Sequence, residues 1–298
     1  MRTSTIRFIL VAGLMAVSSL VQAASFSGHY PAGVEGIKGA SLPPPGIYFR
    51  DYNLFYYADR FPDIGPPDFE AFAYVQAPRL IWITKWKLLG GYYGMDALFP
   101  FYYGRVDSSL GEPFPDNTGA LGDIFVEPIT LSWHPKQFDL SVGYGFWTPN
   151  GDYNEEGGRP SRLLAQGFWT HMFTAGGTWF VDEEKTWAVS LLNRYEIHMD
   201  KLDTEWRAGD TLTAEWGISK TLQKTIDVGA IGYYQVQVTD YSGPAAPDIN
   251  DQVVSVGPEV NMFHPSLGLF TSLRYAYELD AKERPQGETV TLTLTRRF

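Results

Sequence analysis

Eight ionisable side chains interrupt stretches of this chain that otherwise alternate between apolar and small residues: Asp96, Glu127, Arg194, Glu196, Glu215, Glu259, Arg274 and Glu278. If those stretches are strands, the charges fall on the face opposite the apolar residues. An Arg or Lys facing lipid at mid-membrane costs about 2–4 kcal/mol, so beside an apolar outer face these groups belong inside a lumen. There they could pair with one another and brace a narrow interior, or touch a passing solute. Glu35, in a Gly/Pro-rich stretch before the first strand, completes the candidate site because it could pair with such wall charges.

Catalytic chemistry has little to work with. The five histidines (His29, His134, His171, His198 and His264) show no HExxH spacing and no ligand cluster. There is no cysteine, which excludes thiolate chemistry. His264-Pro265-Ser266 sets a base near a hydroxyl, as in barrel-type lipid hydrolases, but it falls in a predicted short turn without oxyanion donors. The reading is therefore of a chain that is not an enzyme, with no catalytic residue, no metal site and no cofactor. Asp107, Glu112, Asp116, Asp152, Glu155 and Glu156 could bind divalent cations that crosslink lipopolysaccharide. Their spacing matches no calcium loop, and a solvated acidic rim is the simpler reading.

The elements that would position these charges are strands. Leu80, Trp82, Thr84, Trp86 and Leu88 alternate with Arg79, Ile81, Ile83, Lys85 and Lys87. Trp187, Val189, Leu191, Asn193, Tyr195 and Ile197 alternate with Ala188, Ser190, Leu192, Arg194, Glu196 and His198. The same period predicts twelve strands, at 47–58, 71–89, 92–104, 122–134, 138–147, 168–180, 186–198, 210–221, 226–239, 252–262, 267–279 and 287–298. Alternation alone also fits a soluble sandwich. The connections separate the two, because short turns (89–91, 135–137, 181–185, 222–225, 263–266) alternate with longer polar loops (59–70, 105–121, 148–167, 199–209, 239–251, 280–287). That asymmetry belongs to outer-membrane barrels, whose short side is periplasmic.

Other features agree. Aromatics make up 15% of residues although mean hydropathy is only −0.17. Trp86, Trp133, Trp179 and Trp187 fall beside short turns, and Tyr56, Phe146, Trp147, Trp169 and Tyr277 near the long loops, as two interfacial belts would. The amphipathic last strand ends in Phe298, the form of signal read by the barrel-assembly machinery. Arg2 and Arg7, an apolar run from Phe8 to Leu20 and Val21-Gln22-Ala23 read as a signal peptide over 1–23. A formal charge of −11 argues against nucleic acid as a partner. Residues 24–46, with Pro43-Pro44-Pro45, have no period and read as an irregular segment that could fold into the lumen as a plug, ahead of a barrel over 47–298.

Several motifs resemble one known family. Gly28–Gly36 (GHYPAGVEG), Leu42–Phe49 (LPPPGIYF), Tyr52–Arg60 (YNLFYYADR), Leu121–Pro128 (LGDIFVEP), Trp147–Tyr153 (WTPNGDY) and Gly257–Val260 (GPEV) are similar to outer-membrane proteins linked to the meta-pathway of phenol degradation. The resemblance spans the mature chain and implies uptake of aromatic compounds, with no site residues to carry over. The expectation is an all-β, antiparallel transmembrane β-barrel in the bacterial outer membrane, surrounded by lipid and lipopolysaccharide. Its expected function is passive uptake of small hydrophobic or aromatic solutes. The alternatives are a general diffusion pore for polar solutes and a non-transporting surface barrel.

Overall fold

The computed structural model describes residues 28–63, 65, 67–107, 120–151, 165–202, 206–244, 246 and 248–298. The signal peptide over 1–23 lies outside the described residues, as do Glu112, Asp116, Asp152, Glu155, Glu156 and the side chain of Asp107. Among the described residues, fourteen strands form one antiparallel sheet: β1 (Gly46–Arg60), β2 (Glu70–Leu88), β3 (Gly91–Leu98), β4 (Phe101–Asp107), β5 (Ala120–Leu121), β6 (Phe125–Trp133), β7 (Phe138–Trp147), β8 (Thr170–Phe180), β9 (Trp187–His198), β10 (Thr211–Leu222), β11 (Ile226–Gln237), β12 (Gln252–His264), β13 (Leu269–Lys282) and β14 (Gln286–Arg297). The sheet closes where β1 pairs with β14, from Tyr48↔Arg297 to Arg60↔Gln286. Closure pairs β1 on both sides, with β14 and β2, and among the described residues leaves a sheet edge only along β4 and β5.

Which face is greasy identifies the environment. On β9, Trp187, Val189 and Leu191 are exposed while Ser190, Arg194, Glu196 and His198 are buried. Leu140, Ile218, Leu273 and Val290 are likewise exposed on neighbouring strands, and Thr178, Thr213 and Thr291 are buried. A soluble sandwich would show the reverse, so the outer face is built for hydrocarbon.

Twelve passes of the wall carry fourteen strands because two passes are broken. The expected strand 92–104 stops at Leu98 and resumes at Phe101, both pieces pairing with β2. Pro100 lies in the gap; it has no N–H to give the ladder, although its carbonyl still accepts from Gly122 N–H at 2.8 Å. The expected strand 122–134 starts only at Phe125, and the two-residue β5 lies ahead of it in the expected loop, separated from β6 by the stretch around Asp123. The connection expected to be long at 280–287 is instead tight, with only 283–285 between β13 and β14.

Parity also shifts in places. A bulge between Ile83 and Lys87 buries both Ile83 and Thr84 and turns Lys85 outward, opposite to plain alternation. Tyr56 and Trp147, expected in the outer aromatic belt, point inward and are 5% exposed. Trp86, Trp179 and Trp187 do stand exposed near the short turns.

Leu191 sits mid-strand on the outer face. Leu191→Arg is expected to cost about 2–4 kcal/mol, read as a lower urea midpoint for the protein folded in lipid vesicles. An unchanged midpoint would mean that Leu191 does not meet lipid.

Candidate functional site

Residues 28–45 contribute no strand and run along the inside of the wall. His29 lies level with Thr170 and His198 near the long-loop end, while Ala40 exchanges hydrogen bonds with Ser141 and Ser190 toward the short turns. The Pro44 carbonyl then accepts from the Tyr48 hydroxyl at 2.6 Å. A non-repetitive segment enclosed in this way must find partners for its amides. Wall carboxylates supply them. Glu196 accepts from His29 and Tyr30 N–H at 3.2 and 3.1 Å, Glu215 from Gly33 N–H at 2.6 Å, and Glu259 from Ile37 N–H at 2.6 Å. The approach requires glycine at Gly36, whose φ is +68° and where a side chain would overlap the Glu259 carboxylate.

Glu35 lies at the centre. Its Oε2 accepts from Arg50 at 3.0 Å, and its Oε1 from Arg79 at 3.0 Å, Arg194 at 3.2 Å and the Tyr52 hydroxyl at 3.2 Å. Burial pushes this carboxyl up, but Arg50, Arg79, Arg194 and Arg274 outweigh it and hold it at about 2. Arg79 also grips Asp96 with two 2.8 Å bonds and reaches Glu127 at 3.0 Å. Arg194 donates to Glu215 at 2.8 Å and lies over the Tyr30 ring at 4.1 Å. The Tyr30 hydroxyl, pushed well above its ordinary range chiefly by burial, donates to Glu215 at 2.7 Å.

The other nominated residues lie around this centre. Arg274 donates to the carbonyls of Gly33 and Val34 and to Thr293, with its Nε 3.9 Å from Glu259. Glu278 is separate, toward the long loops, where it accepts from Tyr56, Tyr233 and Gly287 N–H. Sequence reasoning missed Arg50, Tyr52 and Arg79, although Arg79 shares the parity of inward Ile81. It also missed the pairing of His29 with Asp123 at 2.9 Å and Thr170 at 2.8 Å, with the His29 ring stacked on Trp147. No spacing signals that contact, since its members come from four distant parts of the chain.

The segment leaves two kinds of space. On the short-turn side is a cavity of about 690 Å³, lined by polar side chains such as Thr130, Ser141, Asp227 and Thr293 together with apolar ones such as Ile81, Ile83 and Phe270. On the long-loop side is one of about 60 Å³, lined by Leu54, Val75, Ala77, Phe125, Trp147 and Met172. Both are lined by Val34, Glu35, Tyr52, Arg79 and Arg194, so the Glu35 cluster is the septum between them.

Arg274→Ala leaves Glu259 without its cation and the carbonyls of Gly33 and Val34 without their donor, and is expected to destabilise the barrel by on the order of 3 kcal/mol. Thermal unfolding followed by circular dichroism checks this; an unchanged Tm would remove Arg274 from the brace. Glu35 makes a pH prediction with a defined sign. Its carboxyl is held near 2, below its free value of 4.5, so its contribution to docking is complete above 4.5 and is lost as pH falls through 2. Hydrogen exchange of residues 28–45 should accelerate across that window in the native protein, and Glu35→Gln should abolish this pH dependence. The same acceleration in the variant would show that other groups control docking.

Comparisons with known proteins agree with this architecture. The crystal structure of an outer membrane channel from Pseudomonas putida F1 superposes with a TM-score of 0.70 at 16% identity, over 90% of this chain and 100% of that one. The translocator domain of the autotransporter NalP from Neisseria meningitidis gives 0.48 at 10% identity over 87% and 91%, and the KdgM porin 0.40 at 10% over 84% and 99%. At 16% identity the likeness to the channel is one of fold. No curated protein matches the chain. A family model described as "Putative MetA-pathway of phenol degradation" matches residues 57–294. With its closed wall apolar on the outside, its fold matching that of a solved outer membrane channel and most of its length covered by that model, the chain is a bacterial outer-membrane protein that belongs to this family.

Proposed function

We propose that the protein is a channel for passive uptake of small hydrophobic or aromatic compounds, with residues 24–46 acting as a plug inside the barrel over 47–298. The observation that carries this reading is the apolar inner surface of β1 and β2. Leu54, Ala71, Ala73, Val75 and Ala77 are all buried on a face that other strands fill with Thr, Ser and charge. A polar diffusion pore has no use for such a strip, whereas a greasy solute lowers its free energy along it. The segment lies against this strip through Tyr30 and Val34, in the same apolar cluster. The chemistry implied by the family, phenol degradation, fits such a solute. The nominated charges then serve mainly to seat the plug, with Glu35, Arg79 and Arg194 also meeting solute where the cavities adjoin. Phe298, exposed and on the parity of Val290, is the residue we assign to recognition by the barrel-assembly machinery. The acidic loop residues are assigned to the lipopolysaccharide side.

The test is uptake of toluene by vesicles whose outer leaflet is lipopolysaccharide, combined with conductance in planar bilayers. Toluene should enter faster with the protein than without it, while the folded protein conducts ions poorly and deletion of 26–42 raises conductance. Equal toluene rates together with large ohmic openings of the intact protein would instead make it a polar diffusion pore.

A further inference from the structure

The septum resembles a binding site already holding a ligand. Glu35 belongs to the inner segment, but the four groups that donate to its carboxylate, Arg50, Arg79, Arg194 and Tyr52, all belong to wall strands. Arg79 and Arg194 have other acids, Asp96 and Glu215. Among the described residues Arg50 has Glu35 as its only acidic partner, and its remaining bonds go to Thr295 and Tyr52. Without Glu35 the wall would retain a guanidinium in the lumen with no counter-charge, an arrangement that strongly favours another anion. Planar guanidiniums with a phenol in the same site match a carboxylate better than a single-atom anion.

The surroundings of this socket specify the rest of the ligand. Glu35, Arg79 and Arg194 form the polar end of the apolar cavity lined by Leu54, Val75, Phe125, Trp147 and Met172. Trp147 is 5% exposed and its indole N–H has no hydrogen-bond partner among the described residues. An apolar, aromatic-lined space ending in arginines suits a molecule with a flat hydrophobic body and one acidic end. The cavity holds only about 60 Å³ with the segment in place, so a ring can enter only as the segment yields.

We propose that the Arg50–Arg79–Arg194–Tyr52 socket is a binding site for small aromatic monocarboxylates, that Glu35 is its built-in occupant, and that such a solute opens the septum by taking the place of Glu35. This deepens the reading of the barrel as an aromatic-uptake channel and rests on it for the direction of transit, though not for binding. Competition of this kind makes plug release depend on the solute that needs it.

The experiment is calorimetric titration of the full-length folded protein with benzoate, using benzyl alcohol as the neutral control of similar shape. Glu35→Gln removes the internal anion and should tighten benzoate at least tenfold while leaving benzyl alcohol unchanged. Arg50→Gln should weaken benzoate by a similar factor, and it decides the matter alone if Glu35→Gln does not fold. The proposal is overturned if benzoate binds Arg50→Gln as well as the native protein, or if Glu35→Gln tightens both compounds equally. Failure of the channel reading looks different: vesicles would gain no toluene uptake, yet the benzoate shifts would persist.

Discussion

A strand that crosses hydrocarbon has no solvent to turn to, so every backbone N–H and C=O within it must be paired by the sheet. The rest of this structure follows from that constraint. It forces β1 to meet β14, and closure divides space into a lipid side and an enclosed side. The strict two-residue period then sends Leu191 and Val189 one way and Ser190 and Arg194 the other. Over most of the wall polar groups end up buried and apolar groups exposed, because here the surrounding medium is the apolar phase, with the inner strip of β1 and β2 as the exception.

Enclosure creates a second problem, which the inner segment and the wall solve together. A narrow lumen lined with carboxylates would be costly without donors, and an irregular segment would be costly without acceptors. Glu196, Glu215 and Glu259 meet the amides of His29, Tyr30, Gly33 and Ile37, so each side satisfies the other. Such mutual satisfaction is specific in position. It sets Glu35 level with Arg194 and surrounds it with the four arginines that keep it ionised, Arg50, Arg79, Arg194 and Arg274.

That placement also divides the interior into two compartments. The septum lies where the apolar strip of β1 and β2 meets the larger cavity toward the short turns, so one cluster touches both compartments. The ion pairs of Glu35 with Arg50, Arg79 and Arg194 hold that septum together. The breaks at Pro100 and Asp123 belong to the same side of the barrel, and Asp123 uses its freedom from the ladder to bind His29, Gly151 N–H and Gln166 N–H.

The sequence by itself determined the strand period, the chain reversals and the inward parity of residues such as Arg194 and Glu215, because these are local properties of neighbouring residues. It also determined which face of β9 is apolar, and hence that a closed barrel in a membrane beats a sandwich once turn lengths are counted. Local pattern misled where a bulge or a break shifts parity, as at Thr84 and Pro100, or where an aromatic near a strand end turns inward, as Tyr56 and Trp147 do. Only the tertiary structure decided which charges meet. Glu35 and Arg194 are separated by 159 positions in the chain, and His29 and Asp123 by 94, so no spacing rule connects them. Their pairing depends on the register of a dozen strands around a closed wall and on the depth to which the inner segment descends, quantities that exist only once the barrel has closed.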